Sequence, residues 1–93
     1  MPQKRIIREA FGPEQIEIAV KAYERALEFV VSSGDGDGDP NVKENIAVHI
    51  IAAGHDVPNF TFMELANRAI SRYRVRRAML MVSAAKTARE RRI

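Results

Sequence analysis

Apolar positions along this chain fall into three stretches of helical periodicity, separated by two short polar connectors. In the first, Ile16, Ala19, Val20, Tyr23, Ala26, Leu27 and Val30 recur at steps of three and four, which places them on one helix face. Gly12-Pro13-Glu14 supplies its start, since glycine is tolerated at the N-cap and proline suits the first helical position. Ser32-Ser33-Gly34 supplies its end, with Gly34 free to take the left-handed cap conformation. The second stretch carries Val42, Ile46, Ala47, Ile50 and Ala53, opened by Asp39-Pro40 as N-cap and first helical residue and stopped at Gly54. Val48 and Ile51 widen its apolar arc, which predicts a central helix with neighbours on more than one side.

The third stretch begins with a capping box. Thr61 caps, Glu64 stands three residues later, and Phe60 can staple onto Leu65. The stripe runs through Ala66, Ala69, Ile70 and Tyr73, and neither glycine nor proline follows Pro58 to stop it. Met79, Leu80, Met81, Val82, Ala84, Ala85 and Ala88 carry it to about residue 90, a length of roughly 45 Å at 1.5 Å per residue.

These patterns predict an all-α fold of three helices, about 13–32, 40–53 and 61–90, in an antiparallel up-down arrangement set by short connectors. Residues 12–93 make a single helical domain, because a second core would leave each half too short to bury enough surface. Residues 1–11 form a basic N-terminal arm, with Ile6, Ile7, Ala10 and Phe11 as anchors for up to two helical turns. The third helix overshoots the other two, so Met79, Leu80, Met81 and Val82 call for another surface. A second copy of the chain, forming a homodimer, is the economical candidate.

Charge sharpens this picture. The net charge of +3 hides a polarity, for residues 61–93 carry nine basic side chains against two acidic ones, and residues 1–60 carry six against ten. The asymmetry points either to an anionic partner for the basic end or to pairing between opposite ends of like subunits. Arg68, Arg72 and Arg76 recur at i,i+4 as a ridge, with Arg74 and Arg77 flanking it, and such a row could follow a phosphate backbone. A helix-turn-helix reading of residues 65–71 fails, because Ile70 stands where the turn needs glycine and no helix break follows.

Candidate chemistry is sparse. The chain has no cysteine, which removes disulfides and thiolate metal sites and fits a cytoplasmic setting. No apolar run approaches a membrane span, so no membrane partner is expected. Counted from Ser33, the acidic loop places Asp35, Asp37, Gly38, Asp39 and Glu44 at the third, fifth, sixth, seventh and twelfth positions of a calcium loop. Ser33 in place of the leading aspartate, Pro40 at the eighth position and the capping duty of Asp39 all favour a plain acidic linker instead. His49, His55 and Asp56 share no helical spacing that would make them ligands or an acid–base pair. No nucleophile has a histidine partner and no phosphate loop is present, so the chain reads as non-catalytic, with no cofactor and no small-molecule substrate evident.

Residues 12–73 resemble a group of short helical proteins of alphaproteobacteria that have no assigned function. The resemblance rests on Gly12-Pro13-Glu14 opening a helix that holds Ala22-Tyr23-Glu24, on Asp39-Pro40 before a helix with Ala47, Ile50 and Ile51, on Gly54, and on a six-residue connector leading to Leu65 and Ala69-Ile70. It departs at residues 55–59, where the group carries a charged run, and in the basic tail after Tyr73. The resemblance implies the helix count and no activity. The expected role is therefore a non-catalytic homodimeric interaction module, with nucleic-acid association through the arginine ridge as the alternative.

Overall fold

A computed structural model describes the backbone of residues 2–57 and 59–91 and the side chains of residues 3–57 and 59–80. The described residues form four helices, α1 (Pro2–Ala10), α2 (Pro13–Ser33), α3 (Val42–Asp56) and α4 (Phe62–Arg91). No described helix is long and apolar enough to cross a membrane.

The helix count is four rather than three because the basic arm is itself a helix of the bundle. Ile7 is fully buried and Phe11 nearly so, while Ile6 and Ala10 pack at the edge of the same core. Nine residues would not hold a helix in water unaided, so α1 depends on this tertiary burial against α2 and α3. Lys4 Nζ pairs with Glu24 Oε1 of α2 at 2.8 Å, an exposed contact that orients α1 and adds little stability.

Helix α3 is central, as its wide apolar arc predicts, and packs against all three other helices. Ile46, Ala47, Ile50 and Ala53 are buried between Ala22, Tyr23, Ala26 and Val30 of α2 and Leu65, Ala66, Ala69 and Tyr73 of α4. Asp56 near the end of α3 shares a depression with Glu64 and Arg68, while Asn45 and Val48 near its start share one with Arg77 and Leu80. The two helices therefore run antiparallel.

Two boundaries differ from the sequence reading, each for a tertiary reason. Gly54 does not stop α3, which continues to Asp56 and ends at Val57, extended at φ −126° as the residue before a proline tends to be. Gly54 is instead a contact point: a Cβ placed there would overlap the ring of Phe11, so α1 reaches α3 only because position 54 has no side chain. Asp39 does not cap α3 either. The helix begins at Val42 with Asn41 at the N-cap, and Asp39 Oδ1 accepts the Asn41 backbone N–H at 3.0 Å in a turn that precedes it.

The remaining caps match the pattern. Gly12 stands at the N-cap of α2. Gly34 ends that helix at φ 81° and donates its N–H to the Val31 carbonyl at 3.3 Å. Glu64 N–H donates to Thr61 Oγ1 at 3.2 Å at the start of α4. Phe60 and Leu65 are both buried there, where a hydrophobic staple would put them.

Candidate functional site

The arginines of α4 split into two groups according to where the helix turns them. Arg74 and Arg77 face the α2–α3 loop. Arg74 Nε donates to Asp35 Oδ2 at 2.7 Å, and its guanidinium lies 5.0 Å from the centre of the Phe29 ring. Arg77 donates to the Asp37 carbonyl at 2.7 Å. Its Nε is the one buried side-chain polar atom without a hydrogen-bond partner among the described residues.

Arg68, Arg72 and Arg76 lie on the other flank, toward the seam with α3. Arg72 makes a long, exposed pair with Asp56 at 3.4 Å, and Arg68 and Arg76 make no ion pair among the described residues. The ridge seen in the sequence is real as a spacing, but only three of its five arginines share a face. Their counter-charges come from Asp35 and Asp56. Pairing with Glu14, Glu17, Glu24 and Glu28 of α2 is not among the described ion pairs.

The acidic loop spends its oxygens inside the fold. Asp35 accepts from Arg74 and from Ser33 Oγ, and these hydrogen bonds hold its carboxyl below the ordinary carboxylate range. Asp39 accepts from Tyr73 Oη at 2.6 Å and from Asn45 Nδ2 at 3.1 Å. Its pKa is lowered, because the hydrogen bonds from Tyr73, Asn45 and Asn41 outweigh a desolvation that acts the other way. Glu44 lies apart, in a depression with Pro40 and Lys43. Among the described residues no cluster of three metal-ligating side chains exists, and the calcium-loop residues are not brought together.

His49 and His55 also go separate ways. His55 packs against the Phe11 ring and sits 3.5 Å from the Ala10 carbonyl oxygen, tying the end of α3 to α1. His49 is half-buried, edge-on to the Tyr73 ring at 6.1 Å between centroids. Burial pushes its pKa down, and repulsion from Arg72 and Arg76 pushes it further, so the neutral imidazole is favoured.

Together these placements build a groove between α3 and α4. His49, Asn45 and Asp39 line one side and Arg72, Arg76 and Arg77 the other, with Val48 and Leu80 at its rim. Sequence reasoning identified the arginines but not His49 and Asn45 as their neighbours. The available signal was weak, namely the i,i+4 spacing of Asn45 and His49 on one face of α3. A second depression lies at the other end of the seam, where Arg68 and Arg72 are balanced by Asp56 and Glu64.

The four residues expected at a dimer interface divide as well. Met79 and Leu80 are 59% and 50% exposed, while Met81 and Val82 have side chains outside the described residues. Val75 and Val48, 58% and 51% exposed, extend the apolar surface toward the groove. No protein-family model, curated protein or solved structure matches this chain.

Proposed function

We propose that the protein is a non-catalytic helical interaction module that works as a homodimer through the distal part of α4. The observation that carries this reading is the exposed apolar run Val75, Met79 and Leu80 on a helix that continues past its own core. Tyr73 is the last buried residue of α4 among those described, yet the helix extends to Arg91, about 27 Å further at 1.5 Å per residue. The molecule measures 55 × 24 × 21 Å, and a thin core of this size gains stability when a second copy covers apolar surface.

Charge supports the same pairing. The tail of α4 is strongly basic, and Glu14, Glu17 and Glu28 of α2 stand exposed with no ion pair among the described residues. A two-fold arrangement would let each tail meet acidic surface on its partner. Contact with nucleic acid along the arginine ridge has less in its favour, since Arg74 is already paired with Asp35 and turned toward the loop. The test is sedimentation equilibrium of the full chain at micromolar concentration beside Met79→Ser/Leu80→Ser. The reading expects a dimer that the double variant converts to a monomer of unchanged helix content. A monomeric wild-type protein overturns it.

A further inference from the structure

The α3–α4 groove holds more positive charge than the fold uses. Arg72, Arg76 and Arg77 line it, and the one carboxylate in its lining is Asp39, with Asp35 and Asp37 on the far side of Arg77. The oxygens of Asp39 are already occupied by Tyr73, Asn45 and the Asn41 N–H, so it cannot also form a close pair with Arg76. Asp56 reaches Arg72 from outside the groove, but at 3.4 Å and in solvent, a contact that a better acceptor displaces at little cost. Folding accounts for Arg77 on the Asp37 carbonyl and for Arg72 beside Asp56, but gives no reason to set Arg76 next to them and an imidazole, because like charges repel. An anion in the groove does.

We propose that this groove binds a small phosphate monoester, its phosphate held by Arg72, Arg76 and Arg77 beside His49 and its organic part covered by Val48 and Leu80. Three guanidiniums against Asp39 and the outlying Asp56 leave one positive charge in excess, and two once a phosphate dianion displaces Asp56 from Arg72. Guanidinium forks match phosphate oxygens bidentately, and cations at 72, 76 and 77 lie within about one and a half turns of one helix, so their spacing is set before the ligand arrives. The half-exposed Val48 and Leu80 give an apolar rim next to the charge, which a bare inorganic ion would not use. The charged part of the site does not depend on the dimer reading, whereas its rim shares Leu80 with the proposed dimer surface.

His49 reports on occupancy. The groups that face it are Arg72 and Arg76, whose charge holds its pKa down, the Tyr73 ring, and across the groove Asp39 and Arg77. A dianion between the arginines offsets their repulsion, so the His49 pKa rises on binding, while His55 packs on Phe11 away from the groove. The experiment is an NMR titration of the two imidazole resonances of the full chain with inorganic phosphate and with phenyl phosphate at millimolar concentration, with sodium chloride of equal ionic strength as control. The expected result is a saturable shift of His49 alone, tighter for phenyl phosphate, and an upward move of its pKa. Arg76→Ala weakens binding about tenfold for the loss of one charge-assisted contact. Val48→Ser, which spares the Met79 and Leu80 pair that tests the dimer, removes the advantage of phenyl phosphate and leaves inorganic phosphate unchanged. Circular dichroism of each variant separates lost binding from lost fold. A His49 response equal to that of chloride, no saturation with either phosphate, or saturation only with a duplex oligonucleotide overturns the proposal, the last in favour of a nucleic-acid surface.

Discussion

Tyr73 Oη donates a 2.6 Å hydrogen bond to Asp39 Oδ2, joining the middle of α4 to the loop before α3 across thirty-four positions of sequence. The Tyr73 ring is buried against His49, so its hydroxyl emerges from the core at the point where the loop closes over it. Tyr73→Phe removes the bond and leaves Asp39 with Asn41 and Asn45. The expected loss is about 1.5–3 kcal/mol, the range for a hydrogen bond to a charged acceptor, read from urea midpoints at neutral pH.

The same bond fixes an alkaline limit. Burial and the Asp39 carboxylate push the Tyr73 pKa up to about 12, from an ordinary value of 10.0. A pKa raised by folding contributes stability that is complete below the unfolded value and is lost as pH rises through the folded one. Stability is therefore expected to fall between about pH 10 and 12, with Tyr23, raised in the same direction by burial and by Glu24, adding to the decline. Urea midpoints across this window, with tyrosinate absorbance as the titration signal, check it. Tyr73→Phe flattens the curve by the Tyr73 share.

Gly54→Ala is expected to destabilise the protein by about 1–3 kcal/mol, the usual cost of overpacking a core. The added methyl overlaps the Phe11 ring, which is itself held edge-on to Phe60 at 5.7 Å. Alanine is otherwise the better helix former inside α3, so the sign of the change isolates the clash. Phe11→Leu in the Gly54→Ala background should recover part of the loss, and a double-mutant cycle measures the coupling.

Gly54 and Asp39 also show where sequence reading stops. A glycine before a polar connector looks like a helix stop, and an aspartate before proline looks like a cap, because both inferences use neighbours only. Their actual partners, Phe11 and Tyr73, are forty-three and thirty-four positions away and carry no local mark of the contact. Caps that depend on near neighbours alone, the backbone at Gly34 and the Thr61 hydroxyl, were readable for the same reason. Along α4, the 3.6-residue period placed Arg68, Arg72 and Arg76 on one face. Nothing local tells that Arg74 and Arg77 turn to the loop, or that His49 completes the opposite wall.

Helix α1 is expected to be part of the folding unit. Ile7→Ala should cost about 2–4 kcal/mol, as for a fully buried isoleucine whose cavity cannot collapse. Lys4→Ala, which removes only the exposed pair with Glu24, should cost under about 1 kcal/mol. Both are read from chemical denaturation followed by circular dichroism. Equal effects of the two would mean that α1 rests on the surface.

Calcium is expected to leave the thermal midpoint unchanged. To enter the α2–α3 loop a cation would have to take Asp35 from Arg74, Asp39 from Tyr73 and Asn45, and the Asp37 carbonyl from Arg77, while Glu44 stays outside the cluster. Each exchange replaces a short hydrogen bond, and the displaced arginines would then repel the ion. Arg74→Ala makes the comparison stricter, because it frees Asp35 and removes one positive charge from beside the loop. A flat response is still expected, since Asp39 remains on Tyr73 and two separated carboxylates do not supply the six or more oxygens that calcium takes. Thermal melts of the wild type and Arg74→Ala, with calcium and with chelator, decide it. A rise in the variant alone would mean that Arg74 occupies a site calcium could otherwise fill.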